Sequence, residues 1–421
     1  MYATVAGTEA NVIFIQKREG KAKMQNLEKI YMDNAATTPM RPAVLEAMEP
    51  YFCEKFGNPS ARYSWGRETR QAVEKAREQV AALIHAEPDE IYFTSGGSEA
   101  DNWAIQIGCR EARRSRKNSS GELKIITSPI EHHAVLNACM AEKKRGVKVE
   151  FLPVYPYGAT TAHCPGAFLK NTAMMSIMLA NNETGAIQPV EELALVAKEH
   201  GVLFHTDAVQ AVGNIPVSVE TLKADLLSMS AHKFYGPKGV GALYIRRGTI
   251  LPALILGGHQ ERDHRAGTEN VPGIVGMGKA AEFAKEEIPD ETFRKSRMRN
   301  YMREMIEGTI PEAHCNSINV YTLPGTLNFS FAGVESEALV MMMDSLGVAC
   351  SGGSACTSMD LEPSHVLKAM DVDEKWLHGS VRFSFGRETG KAQVDEVVKR
   401  LSAAVQRLRE MNPLWKDEAN G

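Results

Sequence analysis

A mostly parallel α/β sheet covered by helices, with a smaller C-terminal α/β unit, is predicted by three features of the sequence. Short apolar runs alternate with segments of helical periodicity from about residue 60 to residue 246. Those runs are rich in apolar residues, which fits a mostly parallel sheet covered on both faces. After Gly273 the pattern turns helical and then repeats the alternation on a smaller scale.

Each element follows in order. Val73, Ala76, Val80, Leu83 and Ile84 fall at helical spacing, and a strand is predicted at 91–94. Gly96-Gly97-Ser98-Glu99 opens the next helix, 124–127 reads as a strand, and a helix follows over about 133–144. Further strands are predicted at 149–154, 174–180, 202–206, 226–230 and 241–246, with helices such as 190–199 in the gaps. The helical stretch from 273 to about 305 is long enough to form a spine between units. A strand at 326–331, a helix at 336–346, a strand at 381–385 and an amphipathic helix at 392–411 complete the smaller unit. The domain reading is therefore a tail over 1–29, a large unit over 30–285 and a small unit over 286–421. The start of the large unit, ~15 residues, is expected to pack with the small one.

The chain of 421 residues is 43% hydrophobic and 24% charged, the balance of a soluble globular protein. A net charge of −4 argues against nucleic acid or an anionic membrane as the main partner. The basic run from Arg110 to Lys117 reads as a solvated helix end. Seven scattered cysteines with no CxxC pair give neither a disulfide framework nor a zinc site, and fit a reducing, cytoplasmic setting. No apolar run reaches the ~18 residues of a membrane span. Val12-Ile13-Phe14-Ile15 is too short for a signal-peptide core and its basic residues follow it; Met24 offers an alternative start.

Lys233, in Ser230-Ala231-His232-Lys233-Phe234-Tyr235-Gly236, follows the apolar run 225–229. Burial there disfavours the charged amine, and a neutral lysine can form an imine with an aldehyde. A lysine snorkelling at a strand end is the alternative. Thr94-Ser95-Gly96-Gly97-Ser98 runs from strand into helix, where backbone N–H groups and the Ser98 hydroxyl make an anion site or a plain glycine-assisted cap. It is neither a Walker loop nor a dinucleotide fingerprint. Asp207 ends an apolar strand, where open α/β sheets bind ligands; it reads as a partner for a protonated ring nitrogen, with Gln210 reaching a phenolic oxygen, or as a helix cap. His132 reads as a ring that stacks on a flat cofactor or as a capping histidine, and Asn182 has a similar strand-end placement. Cys356 lies among the small residues Ser351-Gly352-Gly353-Ser354-Ala355-Cys356-Thr357-Ser358, a setting that suits a mobile nucleophile, whereas Cys350 reads as a strand residue. Each signal is weak alone. Together they supply an anion cradle, a ring-nitrogen carboxylate, a stacking imidazole and an imine lysine, the parts that hold pyridoxal phosphate.

The sequence resembles the cysteine desulfurases of the NifS/IscS kind, within the class V aminotransferase group of fold type I pyridoxal-phosphate enzymes. The resemblance runs from Tyr31-Met32-Asp33-Asn34-Ala35-Ala36-Thr37-Thr38-Pro39 to Asn412-Pro413-Leu414-Trp415. It passes through Phe56-Gly57-Asn58-Pro59-Ser60, Ala231-His232-Lys233, Arg265-Ala266-Gly267-Thr268-Glu269-Asn270, Ser354-Ala355-Cys356-Thr357-Ser358 and Val381-Arg382-Phe383-Ser384. It implies that Lys233 bonds the cofactor, His132 stacks on its ring, Asp207 pairs with the ring nitrogen and Gln210 with the 3′-oxygen. It implies that Gly97, Ser98, Ser230 and His232 hold the phosphate, and that Thr268 reaches the phosphate of a second subunit in a homodimer. Asn182 and Arg382 are then the substrate-orienting residues and Cys356 the nucleophile. The implied reaction converts L-cysteine to L-alanine: Lys233 moves the α-proton, and sulfur passes to Cys356 as a persulfide and on to an acceptor such as an iron–sulfur scaffold protein. Selenocysteine lyase or cysteine-sulfinate chemistry on the same scaffold is the alternative, with a class V aminotransferase or a non-catalytic scaffold behind it. The sequence departs from the resemblance at Gly352-Gly353, at Ala231 and over 158–171, where Cys164-Pro165-Gly166 puts a surface helix in doubt.

Overall fold

A computed structural model describes residues 28–115, 122–163, 169–317, 321–352 and 362–418. The first strand, β1 (Ile30–Tyr31), lies apart from the main sheet. That sheet contains β2 (Ile91–Thr94), β3 (Lys124–Thr127), β4 (Lys148–Phe151), β5 (Thr172–Ser176), β6 (Leu203–Asp207), β7 (Leu226–Ser230) and β8 (Gly241–Ile245), in the order β2-β8-β7-β6-β5-β3-β4. Among the described strands of this sheet, β8 alone runs against its neighbours, pairing antiparallel with both β2 and β7. The cause is the short return from β7 to β8, since a parallel neighbour needs a crossover of about a dozen residues or more. Strands β3, β5, β7 and β8 are buried along their whole length, which is why each carries consecutive apolar residues rather than an alternation.

Helices cover the sheet. They include α1 (Ser64–Leu83), α2 (Gly97–Asn102, which runs through a π turn into the helix Gly108–Ser115), α3 (His133–Lys144) and α4 (Val190–Glu199). The spine is α5 (Val271–Thr309), 39 residues long with Pro289 inside it. Beyond it lie β9 (Ala313–Cys315), β10 (Thr326–Phe331), α6 (Ser336–Ser345), β11 (Val348–Ala349), β12 (Ser351–Gly352), β13 (Ser380–Ser384) and α7 (Lys391–Met411). The order β12-β13-β10-β9 forms an antiparallel sheet, and β11 pairs with β1 in parallel.

Two large apolar clusters result. One packs α1, the main sheet and the first half of α5 as far as Ile288; the other packs Met302 and Ile306 of α5 with β10, β13, α6 and α7. Ile30 and Met32 belong to the second cluster. Backbone bonds fix that segment there: Ile30 N–H to Gly347 O (2.8 Å), Met32 N–H to Ala349 O (2.9 Å) and Ser384 N–H to Met32 O (2.7 Å). Over the described part of 158–171 there is no long helix; Thr160 instead bridges back to Val154. Among the described residues no helix is long and apolar enough to cross a membrane.

Candidate active site

Parallel strands bring their carboxyl ends to one edge of a sheet, and loops from those ends build a site there. The ends of β2, β3, β6 and β7 lead into a cavity of about 320 Å³, whose wall includes Gly97, Ser98, His132, Asp207, Gln210, Ser230, His232 and Lys233. Asn182, Ser351 and Arg382 line it as well.

Gly97 opens α2 where a Cβ would sit 2.6 Å from Val209 Cγ2, so only glycine lets the backbone come this close. The first N–H groups of that helix and the Ser98 hydroxyl stand at the cavity wall, as an anion requires. His132 caps α3, its Nδ1 accepting the Ala134 N–H at 3.1 Å. This capping histidine also lines the cavity. Burial, and then the positive charge of Lys233, push the imidazole down to about 4, so its ring is neutral near pH 7.

Asp207 is 6% exposed and accepts the Val209 N–H at 2.9 Å. Burial pushes its carboxyl up to about 6, while the Val209 N–H and the charge of Lys233 pull the other way. A cation placed against it would restore the carboxylate. Behind it the fully buried His205 is held through both ring nitrogens, to Ser176 Oγ (2.8 Å) and Ser228 Oγ (2.9 Å), and burial pushes it down to about 3. Asp101, also on the cavity wall, is driven well above the usual carboxylate range, first by burial and then by the charge of Asp207.

Lys233 follows β7 after a single tight turn. Its Nζ donates to Ala35 O (2.6 Å) and Ala36 O (2.9 Å). Gln210 Nε2 also donates to Ala35 O, at 3.0 Å. His232 Nδ1 lies 3.1 Å from Thr37 Oγ1, and burial pushes that ring down to about 4. Arg382, on β13, donates through Nη1 to Asn182 O (2.7 Å) and through Nη2 to Asp33 Oδ1 (2.7 Å). Asn182 Oδ1 and Arg382 Nε are buried without a hydrogen-bond partner among the described residues. Both residues line the cavity, so a polar ligand there could pair with these atoms.

A match to the family described as aminotransferase class-V spans residues 30–397. A cysteine desulfurase IscS of Dictyoglomus turgidum is 49% identical over 392 residues, which is 92% of this chain and 98% of that protein. The chain belongs to the cysteine desulfurase group of the class-V aminotransferase family. Among solved structures, a "NifS-like protein" superposes with a TM-score of 0.83 at 37% identity, over 90% of this chain and all of that one. One described as "SspA in complex with cysteine" does so with a TM-score of 0.73 at 35% identity, over 85% of this chain and 99% of that one. The fold and the enzyme class expected from the sequence are those of this family.

Two sequence-predicted residues stand apart from the assembled group. Thr268 lies away from the main cavity, lining a separate one of about 80 Å³ with Glu261 and Arg265. Cys356 lies outside the described residues; the chain leaves them at Gly352, which lines the main cavity. Cys350 sits between β11 and β12, buried. Asp33, Ala35 and Glu183 carry no signal in the sequence that points to a role in the site. Asp33 and Ala35 sit within a stretch that carried the family resemblance, but their contacts lie about 200 residues or more away in sequence.

Proposed function

We propose that this chain holds pyridoxal 5′-phosphate in the main cavity and uses it to convert L-cysteine to L-alanine, passing the sulfur to Cys356. The observation that carries the proposal is the set of polar side chains gathered around one cavity. Lys233, Asp207, Asn182 and Arg382 all line it, and Asn182 Oδ1 and Arg382 Nε are buried without a hydrogen-bond partner among the described residues.

The donor set fits the cofactor. The Gly97 and Ser98 N–H groups with the hydroxyls of Ser98 and Ser230 suit a phosphate, and His232 completes that rim. The neutral His132 ring suits stacking, the raised Asp207 carboxyl suits a pyridinium nitrogen, Gln210 suits the 3′-oxygen, and Lys233 suits the aldehyde. When bound, the cofactor supplies an electron sink for the substrate's Cα. Arg382 and Asn182 grip the substrate's carboxylate and hold the Cα–H toward Lys233. Lys233 Nζ would take the proton from Cα and return one there at the end, while Cβ gains the proton that the Cys356 thiol gives up; the amine moves within reach of the Ala35 and Ala36 carbonyls that now hold it. Cys356, as thiolate, takes the sulfur: its S–S bond forms as the substrate's C–S bond breaks, leaving a persulfide on Cys356 and alanine in the site. An acceptor protein such as an iron–sulfur scaffold then receives the sulfur. Thr268 lies beyond the cavity of its own chain, which fits service to a second copy in a homodimer. Cys53, Cys109, Cys139, Cys315 and Cys350 are all unpaired, which fits a reducing cytoplasm.

Two substitutions test the assignment. Lys233→Ala is expected to abolish the long-wavelength absorbance of protein-bound cofactor. Cys356→Ser is expected to keep that absorbance and lose at least about a hundredfold in alanine formed from cysteine. Wild-type turnover by the Cys356→Ser protein overturns the nucleophile.

A further inference from the structure

The guanidinium assigned to the substrate's carboxylate already has an anion against it. Asp33 Oδ1 accepts from Arg382 Nη2 at 2.7 Å, and the two side chains are 17% and 8% exposed. The other Asp33 oxygen accepts the Ser351 hydroxyl at 3.0 Å. Asp33 is held there by main chain: it bridges Ser384, two residues beyond Arg382, and the flanking Ala35 N–H donates to Ser384 Oγ at 2.8 Å. That bridge sets the Asp33 segment beside the end of β13, the strand that carries Arg382. Glu183 is the other carboxyl near this guanidinium, but it takes the Ser364 hydroxyl at 2.5 Å, and burial favours its neutral form.

We propose that Asp33 is a resident counter-ion that sets how tightly Arg382 holds the substrate's carboxylate, and so is a specificity-determining residue of this site. The proposal rests on the reading of Arg382 as the carboxylate fork. Arginine is charged at every working pH, and a buried charge without a partner is strongly disfavoured. Asp33 meets that need while the site is empty. An arriving carboxylate then shares one guanidinium with Asp33, and the repulsion between the two anions offsets part of the attraction. Affinity for any amino acid is held down, the product alanine included, and turnover benefits from its release.

The holoenzyme is titrated spectroscopically with L-alanine, and KM is measured for L-cysteine and for cysteamine, which lacks the carboxylate. Asp33→Asn keeps an oxygen for Arg382 Nη2 and removes the charge. It is expected to tighten L-alanine binding and lower the L-cysteine KM about three- to tenfold, with cysteamine unmoved. Ser351→Ala leaves Asp33 charged but removes a donor from it; it is expected to weaken L-alanine about two- to threefold, the opposite direction. Unchanged or weaker L-alanine binding in Asp33→Asn overturns the proposal, as does an equal shift for cysteamine. Should Asp33→Asn fail to fold, tighter or unchanged L-alanine binding in Ser351→Ala overturns it instead. Arg382→Gln separates the two readings. If it leaves L-alanine binding intact, the carboxylate fork falls and this proposal with it; if it weakens L-alanine while Asp33→Asn fails to tighten it, only the counter-ion role falls.

Discussion

Burial sorts the titratable side chains around the cavity by the charge they would carry. His132, His205 and His232 are all pushed toward the neutral ring, while Asp101, Asp207 and Glu183 are pushed toward the neutral acid. Glu183 shows what this means for stability. Burial raises its carboxyl from 4.5 to about 7, with the Ser364 hydroxyl and the charge of Arg382 opposing. Between those two pH values the unfolded chain has lost the proton and the folded one keeps it, so the wild type loses stability as pH rises through that window. Glu183→Gln keeps an acceptor for the Ser364 hydroxyl and does not titrate. Its stability relative to wild type is expected to rise by up to about 3 kcal/mol from pH 4.5 to pH 7 and stay level above, read by denaturant unfolding of the cofactor-free proteins. A constant difference across that window would show that the buried carboxyl is ionised in the folded state. At this scale the sequence announced residues whose chemistry is rare at a strand end: Lys233, Asp207 and His132. It was silent on Asp33 and Glu183, because an acidic residue in a polar stretch gains its meaning from a partner, here Arg382, that lies 349 residues from Asp33.

Elements were legible in proportion to how completely they are buried. Strands β2, β3 and β7 coincide with their apolar runs. The edge strand β4 stops at Phe151, short of the expected 154, because its faces are only partly covered and its sequence pattern is correspondingly weak. The run 174–180 leaves regular strand at Ser176, yet Leu179 N–H still reaches Asp207 O at 2.8 Å, so pairing with β6 persists toward the site. The antiparallel course of β8 had no signal in periodicity, since a strand buried on both faces looks alike in either direction. That strand matters for the cradle. Gly241 pairs with both Thr94 and Ser230, so it spaces the end of β2 from the end of β7. A Cβ there would stand 2.6 Å from Met229 O and 2.8 Å from Gly96 Cα. Gly241→Ala is expected to push the Gly96-Gly97 turn away from Ser230 and to weaken cofactor binding at least about tenfold, measured by fluorescence titration. Gly308→Ala, where a Cβ meets nothing within 4 Å inside α5, should leave that affinity alone and raise stability by up to about 1 kcal/mol. Equal cofactor affinity in the two variants would mean that the cradle is not set by this spacing.

Across the whole molecule, the division of apolar contacts does not follow the order of the chain. The segment that opens the described residues packs with the last third, through Ile30 and Met32 in the cluster of β10, β13 and α7. Arg400 of α7 reinforces it, donating to Glu28 O at 2.9 Å and Leu346 O at 2.8 Å. The same segment supplies Asp33 to Arg382 and the Ala35 and Ala36 carbonyls to Lys233, so it links the smaller core to the wall that carries the lysine. If the two clusters are separate cooperative units, damage to one should open its own backbone first. Ile30 is 2% exposed, and Ile30→Ala removes three carbons from the second cluster at a cost of about 2–5 kcal/mol. Hydrogen exchange of this variant is expected to rise at Val348–Ala349 and Ser380–Ser384, some three hundred residues away in sequence, while β5, β6 and β7 keep their protection. Arg382 stands within the loosened strand, so on the proposed function the KM for L-cysteine should rise along with the exchange, whereas cofactor affinity, which that proposal assigns to the ends of β2, β6 and β7, should hold. Loss of protection spread evenly over both sheets would show instead that α5, which passes from one core to the other, couples them into a single unit.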